Sequence, residues 1–126
     1  YQEDDTTLAS VQWDPNGGGA NSSSFAVKCT RVGRTVTITF PRSQDATGAG
    51  GAVNTLTLTA VLASGFRPSN VLSFPVYIFS NGAAEAAPGL LEINSAGAIS
   101  VFRTITTIAF GTGNCGLERT CITYTV

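Results

Sequence analysis

The chain has 126 residues and a mass of 13.0 kDa, one domain's worth with room for a single buried core. Charged residues make up 12% of it and the net charge is −1, which excludes a basic nucleic-acid footprint. Hydrophobic residues at 43% argue against disorder, and the absence of histidine removes the commonest catalytic base and metal ligand together.

Two-residue alternation dominates the chain, the period of half-buried strands. A first strand is expected from Thr6 to Trp13, followed by a Gly-, Asn- and Ser-rich loop over Asp14–Ser24. Phe25–Thr30 and Thr35–Phe40 form a hairpin around Arg31-Val32-Gly33-Arg34, with Val36, Ile38 and Phe40 on one face and three threonines on the other. After a loop over Ser43–Ala52, the segment Asn54–Leu62 alternates in the same way. A loop follows at Ser64–Val71. Leu72–Ser80 is more continuously apolar, and Pro75 argues for a strand start or a sheet edge. Beyond the Asn81–Gly89 loop, Leu90–Ile93 and Ala98–Phe102 flank Asn94-Ser95-Ala96-Gly97, a hairpin with turn residues in place. Ile105–Phe110, a Gly111–Gly116 loop and the Thr-rich Cys121–Val126 complete the pattern. Eight or nine closely spaced strands and no useful helix predict an all-β, antiparallel, jelly-roll-like β-sandwich. Residues 25–126 hold the sandwich, and residues 1–24 are an N-terminal strand and loop, part of it or leading into it.

No run approaches about 18 apolar residues, so no membrane-spanning helix is expected. No charged start followed by an apolar run marks a signal peptide, and the chain opens on Tyr1, which reads as a mature product or a fragment. Cys29, Cys115 and Cys121 are an odd count. Cys115 and Cys121 flank five residues and form a possible disulfide if they face each other across a hairpin; the alternative is three free, buried thiols.

Trp13-Asp14-Pro15-Asn16 is the most site-like constellation. Its indole offers a stacking face beside hydrogen-bonding groups, the kit a sugar ring needs; the competing reading is a core Trp at a strand end followed by a plain turn. Asn81 and Glu85 lie on a second loop that would join a cleft or simply be a solvated turn. Glu3-Asp4-Asp5 offers too few convergent oxygens for calcium, so no metal and no cofactor are expected. Gly48-Ala49-Gly50-Gly51 does not match a phosphate loop, and Asn21-Ser22-Ser23 fits a glycosylation sequon by chance. Catalysis lacks a histidine base for a Cys or Ser nucleophile, and a carboxylate pair for glycoside cleavage would have to come from the scattered Asp14, Asp45, Glu85, Glu92 and Glu118, no two of which the sequence places across a substrate, so the expectation is a non-enzyme.

Four patterns recur in a familiar order. The hairpin from Phe25 to Ile38 contains Arg31-Val32-Gly33-Arg34-Thr35-Val36-Thr37-Ile38. Leu62-Ala63-Ser64-Gly65-Phe66-Arg67-Pro68 follows, then Phe74–Gly82, then Gly89–Val101. Over Phe25–Phe102 this set resembles the receptor-binding head domains of viral and phage fibres and tail appendages, with Ala63 where proline is common. The closing Cys115…Cys121 segment and residues 1–24 depart from the pattern. The resemblance implies a trimeric head or knob on a virion surface that attaches to a host glycan or protein receptor. A structural virion protein (minor capsid, cement or decoration) is the alternative, with other virion proteins as its partners. A lectin-like or carbohydrate-active domain of cellular origin is a third. No nucleic acid and no membrane insertion are expected. Within the resemblance, Gly65, Phe66, Arg67 and Pro68 form a structural turn: a small residue at the bend, an apolar anchor, a fixed φ, and an Arg that bonds neighbouring carbonyls.

Overall fold

The computed structural model describes residues 3–16, 20–21, 23–47, 53–103, 109–111 and 113–126. In chain order the strands are β1 (Glu3–Val11), β2 (Trp13–Pro15), β3 (Ala20–Asn21), β4 (Phe25–Val32), β5 (Thr35–Phe40), β6 (Ser43–Thr47) and β7 (Thr55–Leu58). After a 3₁₀ turn at Ser64–Phe66 come β8 (Leu72–Val76), β9 (Ile78–Ser80), β10 (Ala83–Ala84), β11 (Gly89–Ile93), β12 (Ile99–Phe102), β13 (Asn114–Leu117) and β14 (Thr120–Thr125). They form three sheets, ordered β1-β4-β5-β14, β2-β7-β12-β11-β8 and β10-β9-β13-β6-β3, and every pairing is antiparallel. The expected antiparallel β-sandwich is what the chain folds into.

Alternation decides which faces are buried. In β5, Val36, Ile38 and Phe40 are fully buried, while Thr35 and Thr39 are exposed and Thr37 is partly so. In β14, Ile122 and Tyr124 point inward and Cys121, Thr123 and Thr125 outward. The inner faces of all three sheets share one hydrophobic core. Gly33, at φ 60°, takes the first central position of the two-residue β4–β5 turn, where a right-twisted hairpin wants positive φ. Gly97, at φ 87°, does the equivalent service between β11 and β12.

One strand pair passes from the first sheet into the third. β5 continues through Pro41-Arg42 into β6, and β13 continues through Glu118-Arg119 into β14. Thr120 faces Phe40 in the first sheet and Leu117 faces Ser43 in the third. The register slips between Cys115 and Leu117, a bulge of the kind that bends a sheet. Gly116 sits in that bulge, and a Cβ there would meet the Ser43 carbonyl oxygen at 1.8 Å, so only glycine lets the backbones approach this closely.

β6 and β13 correct the sequence reading, which assigned Ser43–Ala52 and Gly111–Gly116 to loops. Their polar and glycine residues lack a strand signature and become strands by pairing with each other. The expected Leu72–Ser80 strand breaks at Tyr77 into β8 and β9, which belong to different sheets. The expected first strand likewise breaks at Gln12 into β1 and β2 in two sheets. Most of the expected Ile105–Phe110 strand, the Gly17–Gly19 run, Gly48–Gly51 and Ser22 of the sequon lie outside the described residues; Ala109 and Phe110 are not in a strand.

Trp13 ties this arrangement together. Its ring is wholly buried, 6.3 Å from Phe40 in a stacked geometry and 5.8 Å from Phe25. Its Nε1 donates to the buried Ser43 Oγ at 2.8 Å. The side chain thus joins β2 of the second sheet to β4 and β5 of the first and β6 of the third. Ser43→Ala leaves a buried indole N–H unpaired and is expected to cost about 1–3 kcal/mol. Trp13→Ala is expected to cost about 3–5 kcal/mol, the range for emptying a buried aromatic site. Urea denaturation reads both; a Ser43→Ala chain as stable as its parent would show that the bond holds nothing.

Candidate functional site

Of the loop residues singled out in the sequence, Trp13, Asn16, Asn81 and Glu85 are engaged by the fold. The indole of Trp13 is fully buried and bonded to Ser43, so it presents no stacking face to a sugar; the core reading of this residue is the one the structure supports. Asp14 is exposed on β2 opposite Thr57. The Asn16 amide acts as a clamp. Its Oδ1 accepts from the backbone N–H groups of Asn54 and Thr55, at 3.0 and 3.1 Å, and its Nδ2 donates to Asn54 Oδ1 at 2.7 Å. That amide closes the mouth of the β2–β7 pair and has its main bonding capacity filled.

The second loop is held in the same way. Asn81, at φ 55°, accepts from the Gly113 N–H through Oδ1 at 2.9 Å, and a Cβ on Gly111 or Gly113 would collide with it. Glu85 pairs with Arg103 at 3.0 Å, both side chains partly buried, and Arg103 also donates to the Ala109 carbonyl at 2.6 Å. Asn16 is therefore bonded to residues 54–55, while Asn81 and Glu85 are bonded to residues 103 and 113. Among the described hydrogen bonds none joins the two groups into a common cleft.

Gly65-Phe66-Arg67-Pro68 forms a buttressed turn. The Phe66 ring is buried, and the Tyr124 hydroxyl donates a short bond to its carbonyl. Arg67 Nε donates to the Leu62 carbonyl at 2.7 Å, and Arg31 Nη1 reaches the Gly65 carbonyl at 2.6 Å. Gly97 packs against this turn so closely that a Cβ would lie 2.9 Å from the Leu62 carbonyl oxygen and 3.0 Å from Arg67 Nε. One loop thereby locks the β4–β5 hairpin, the β11–β12 turn and β14 to each other.

The possible Cys115–Cys121 disulfide is corrected: none of the three cysteines is in a disulfide. The two cysteines do not face each other, because β13 and β14 follow one another along a bending path. Cys115 lies opposite Ala46 in the third sheet and Cys121 opposite Thr39 in the first. Cys115 is buried, with its Sγ within bonding distance of the Gly113 and Gly111 carbonyls. Cys121 is exposed, which also corrects the expectation of three buried thiols. Burial pushes the Cys29 thiol up to about 11. Burial raises Tyr124 further, and the neighbouring Cys29 adds to it.

The outer face of the first sheet is the Thr-rich face that the alternation predicts. Threonines line it in cross-strand rows: Thr30, Thr37 and Thr123 in one, Thr35 and Thr125 in the next. Thr37 and Thr123 share a hydroxyl hydrogen bond at 3.2 Å. At one end a shallow depression lies among Thr7, Ala26, Lys28, Thr39, Pro41 and Arg119.

No protein-family model matches the chain. Structural protein V8 of Sputnik virophage is 25% identical over 115 residues, covering 88% of this chain and 61% of that protein. The chain is similar to a structural protein of a virophage. It spans about three-fifths of the length of that relative.

The thiols give two expected outcomes. A disulfide-exchange reagent at pH 8 should label one thiol of the native chain, Cys121, and three after denaturation; fewer than three in denatured, unreduced protein would restore a disulfide. Cys29 also sets a pH limit. Its folded value of about 11 exceeds the ordinary thiol value, so its contribution is complete below pH 9 and is lost as pH rises through about 11. Cys29→Ala should flatten that alkaline fall in a urea series from pH 8 to 11, and an unchanged slope would assign the fall to other groups.

Proposed function

We propose that this chain is a structural β-sandwich of a virion, held by contacts with other virion proteins. The observation that carries the reading is the similarity to a virophage structural protein along 88% of the chain. The use of side chains supports it. Trp13, Asn16, Asn81, Glu85 and Arg67 all make polar bonds within the fold, while the outward face of the first sheet carries rows of threonines on β5 and β14, with Glu3, Asp5 and Lys28 confined to β1 and β4.

A finer reading places the chain at the virion surface as a trimeric host-attachment head. Its support is the ordered set of fibre-head-like hairpins between Phe25 and Phe102. Purified particles separate the readings. A structural component stays with particles through a density gradient and a high-salt wash, in constant copy number, and the isolated chain does not bind host cells. A chain recovered only outside particles would overturn the virion reading, and saturable binding of the isolated chain to host cells would favour the attachment head.

A further inference from the structure

Sheet edges expose unpaired backbone groups, and natural β-proteins blunt them. Five of the six edges described here carry such a device. β1 has Glu3-Asp4-Asp5 and a register slip between Leu8 and Val11, where Ser10 takes φ 56°. β2 is three residues long and ends in Pro15, and β8 contains Pro75. β3 and β10 are two residues each. β14 alone has none: six residues, Thr120-Cys121-Ile122-Thr123-Tyr124-Thr125, without a charge, a proline or a slip against β5.

The direction of its free groups follows from one bond. Val126 N–H donates to the Arg34 carbonyl at 2.8 Å, continuing the β5 ladder. Hydrogen-bonded and non-bonded pairs alternate along an antiparallel ladder, so Tyr124 and Ile122 also turn their backbone groups toward β5. Cys121, Thr123 and Thr125 turn theirs to the open edge, where no described strand lies.

We propose that β14 is a self-pairing edge, and that two copies of this chain join antiparallel along it about a two-fold axis through Thr123. In that register Thr123 faces its own copy, Cys121 faces Thr125, and Ile122 faces Tyr124. Each outward N–H meets an outward C=O, threonine lies beside threonine on the outer face, and apolar residues meet on the inner face. No charge is opposed anywhere along it. The flank is apolar too. Val71 and Tyr77, 55% and 66% exposed, stand at the two ends of β8, and the Tyr77 carbonyl accepts from Glu118 N–H just before β14 begins. Phe74 of β8 lies 6.4 Å from Tyr124, so β8 borders this same edge. A second copy entering here covers both the strand edge and the exposed side chains. The proposal goes beyond the virion reading and does not rest on it.

Light scattering behind a sizing column should give twice the 13.0 kDa chain mass. Thr125→Cys should cross-link two copies under mild oxidation, because it faces the partner's Cys121 at about 5.5 Å between Cα atoms, within disulfide reach. The wild type and the Thr125→Cys/Cys121→Ser variant should not, since like cysteines then lie about 13 Å apart. Thr123→Pro removes the central donor and no backbone bond to β5, only the exposed hydroxyl contact with Thr37, and should give a folded monomer. If that variant fails to fold, Thr123→Lys serves: two ammonium groups meet on the axis and self-association should weaken about tenfold. A monomer up to millimolar concentration, a mass three times that of the chain, or a dimer indifferent to both Thr123 variants or not cross-linked through Thr125→Cys would overturn the proposal.

Discussion

The contact on which the architecture depends is the buried indole of Trp13 against Ser43, Phe40 and Phe25. Three sheets need a place where their inner faces converge, and a convergence needs a large side chain with a polar tip. Trp13 fills the space between strands of all three, and its N–H finds its acceptor on the first residue of β6. The bond constrains where β5 bends into β6, because Ser43 must come within reach as soon as the strand leaves Pro41. Gly116 answers from the partner strand by letting the backbones approach without a Cβ between them. Indole, bend and bulge are thus one device.

This economy shapes the functional reading. A recognition loop keeps polar side chains unspent, facing solvent and ready for a ligand. Here the loop amides and the Glu85–Arg103 pair close the ends of the sandwich, and the Gly65–Pro68 turn fastens three elements at once. What remains outward in an ordered array is the first sheet, with hydroxyl rows on β5 and β14 and the charges of Glu3, Asp5 and Lys28 on β1 and β4. A body that spends its loop side chains internally and presents an ordered sheet face suits packing among protein neighbours, which accords with the kind of protein it is similar to.

Much of the fold was legible as alternation. β5, β7, β11, β12 and β14 announce themselves by apolar residues at every second position and by turn residues such as Asn94 and Gly97. β6 and β13 were not legible, because Ser43-Gln44-Asp45-Ala46 and Asn114-Cys115-Gly116-Leu117 carry no such period; tertiary pairing makes them strands. The cysteine spacing misled for a related reason: six residues along a bending strand carry a thiol from a buried site to an exposed one. The candidate site was legible in its residues but not in their bonds. Asn16 and Asn81 stood out as turn amides, yet their partners lie 38 and 32 positions away, which local pattern does not encode.

The place of β14 has a consequence for synthesis. It covers the side of β5 opposite β4, and its Tyr124 hydroxyl holds the turn at Phe66. A nascent chain whose β14 is still inside the ribosome therefore carries β5 as a long uncharged edge, with its supporting loop untethered. Vectorial folding cannot finish the first sheet early, and the growing chain is most open to wrong strand partners just before that segment emerges.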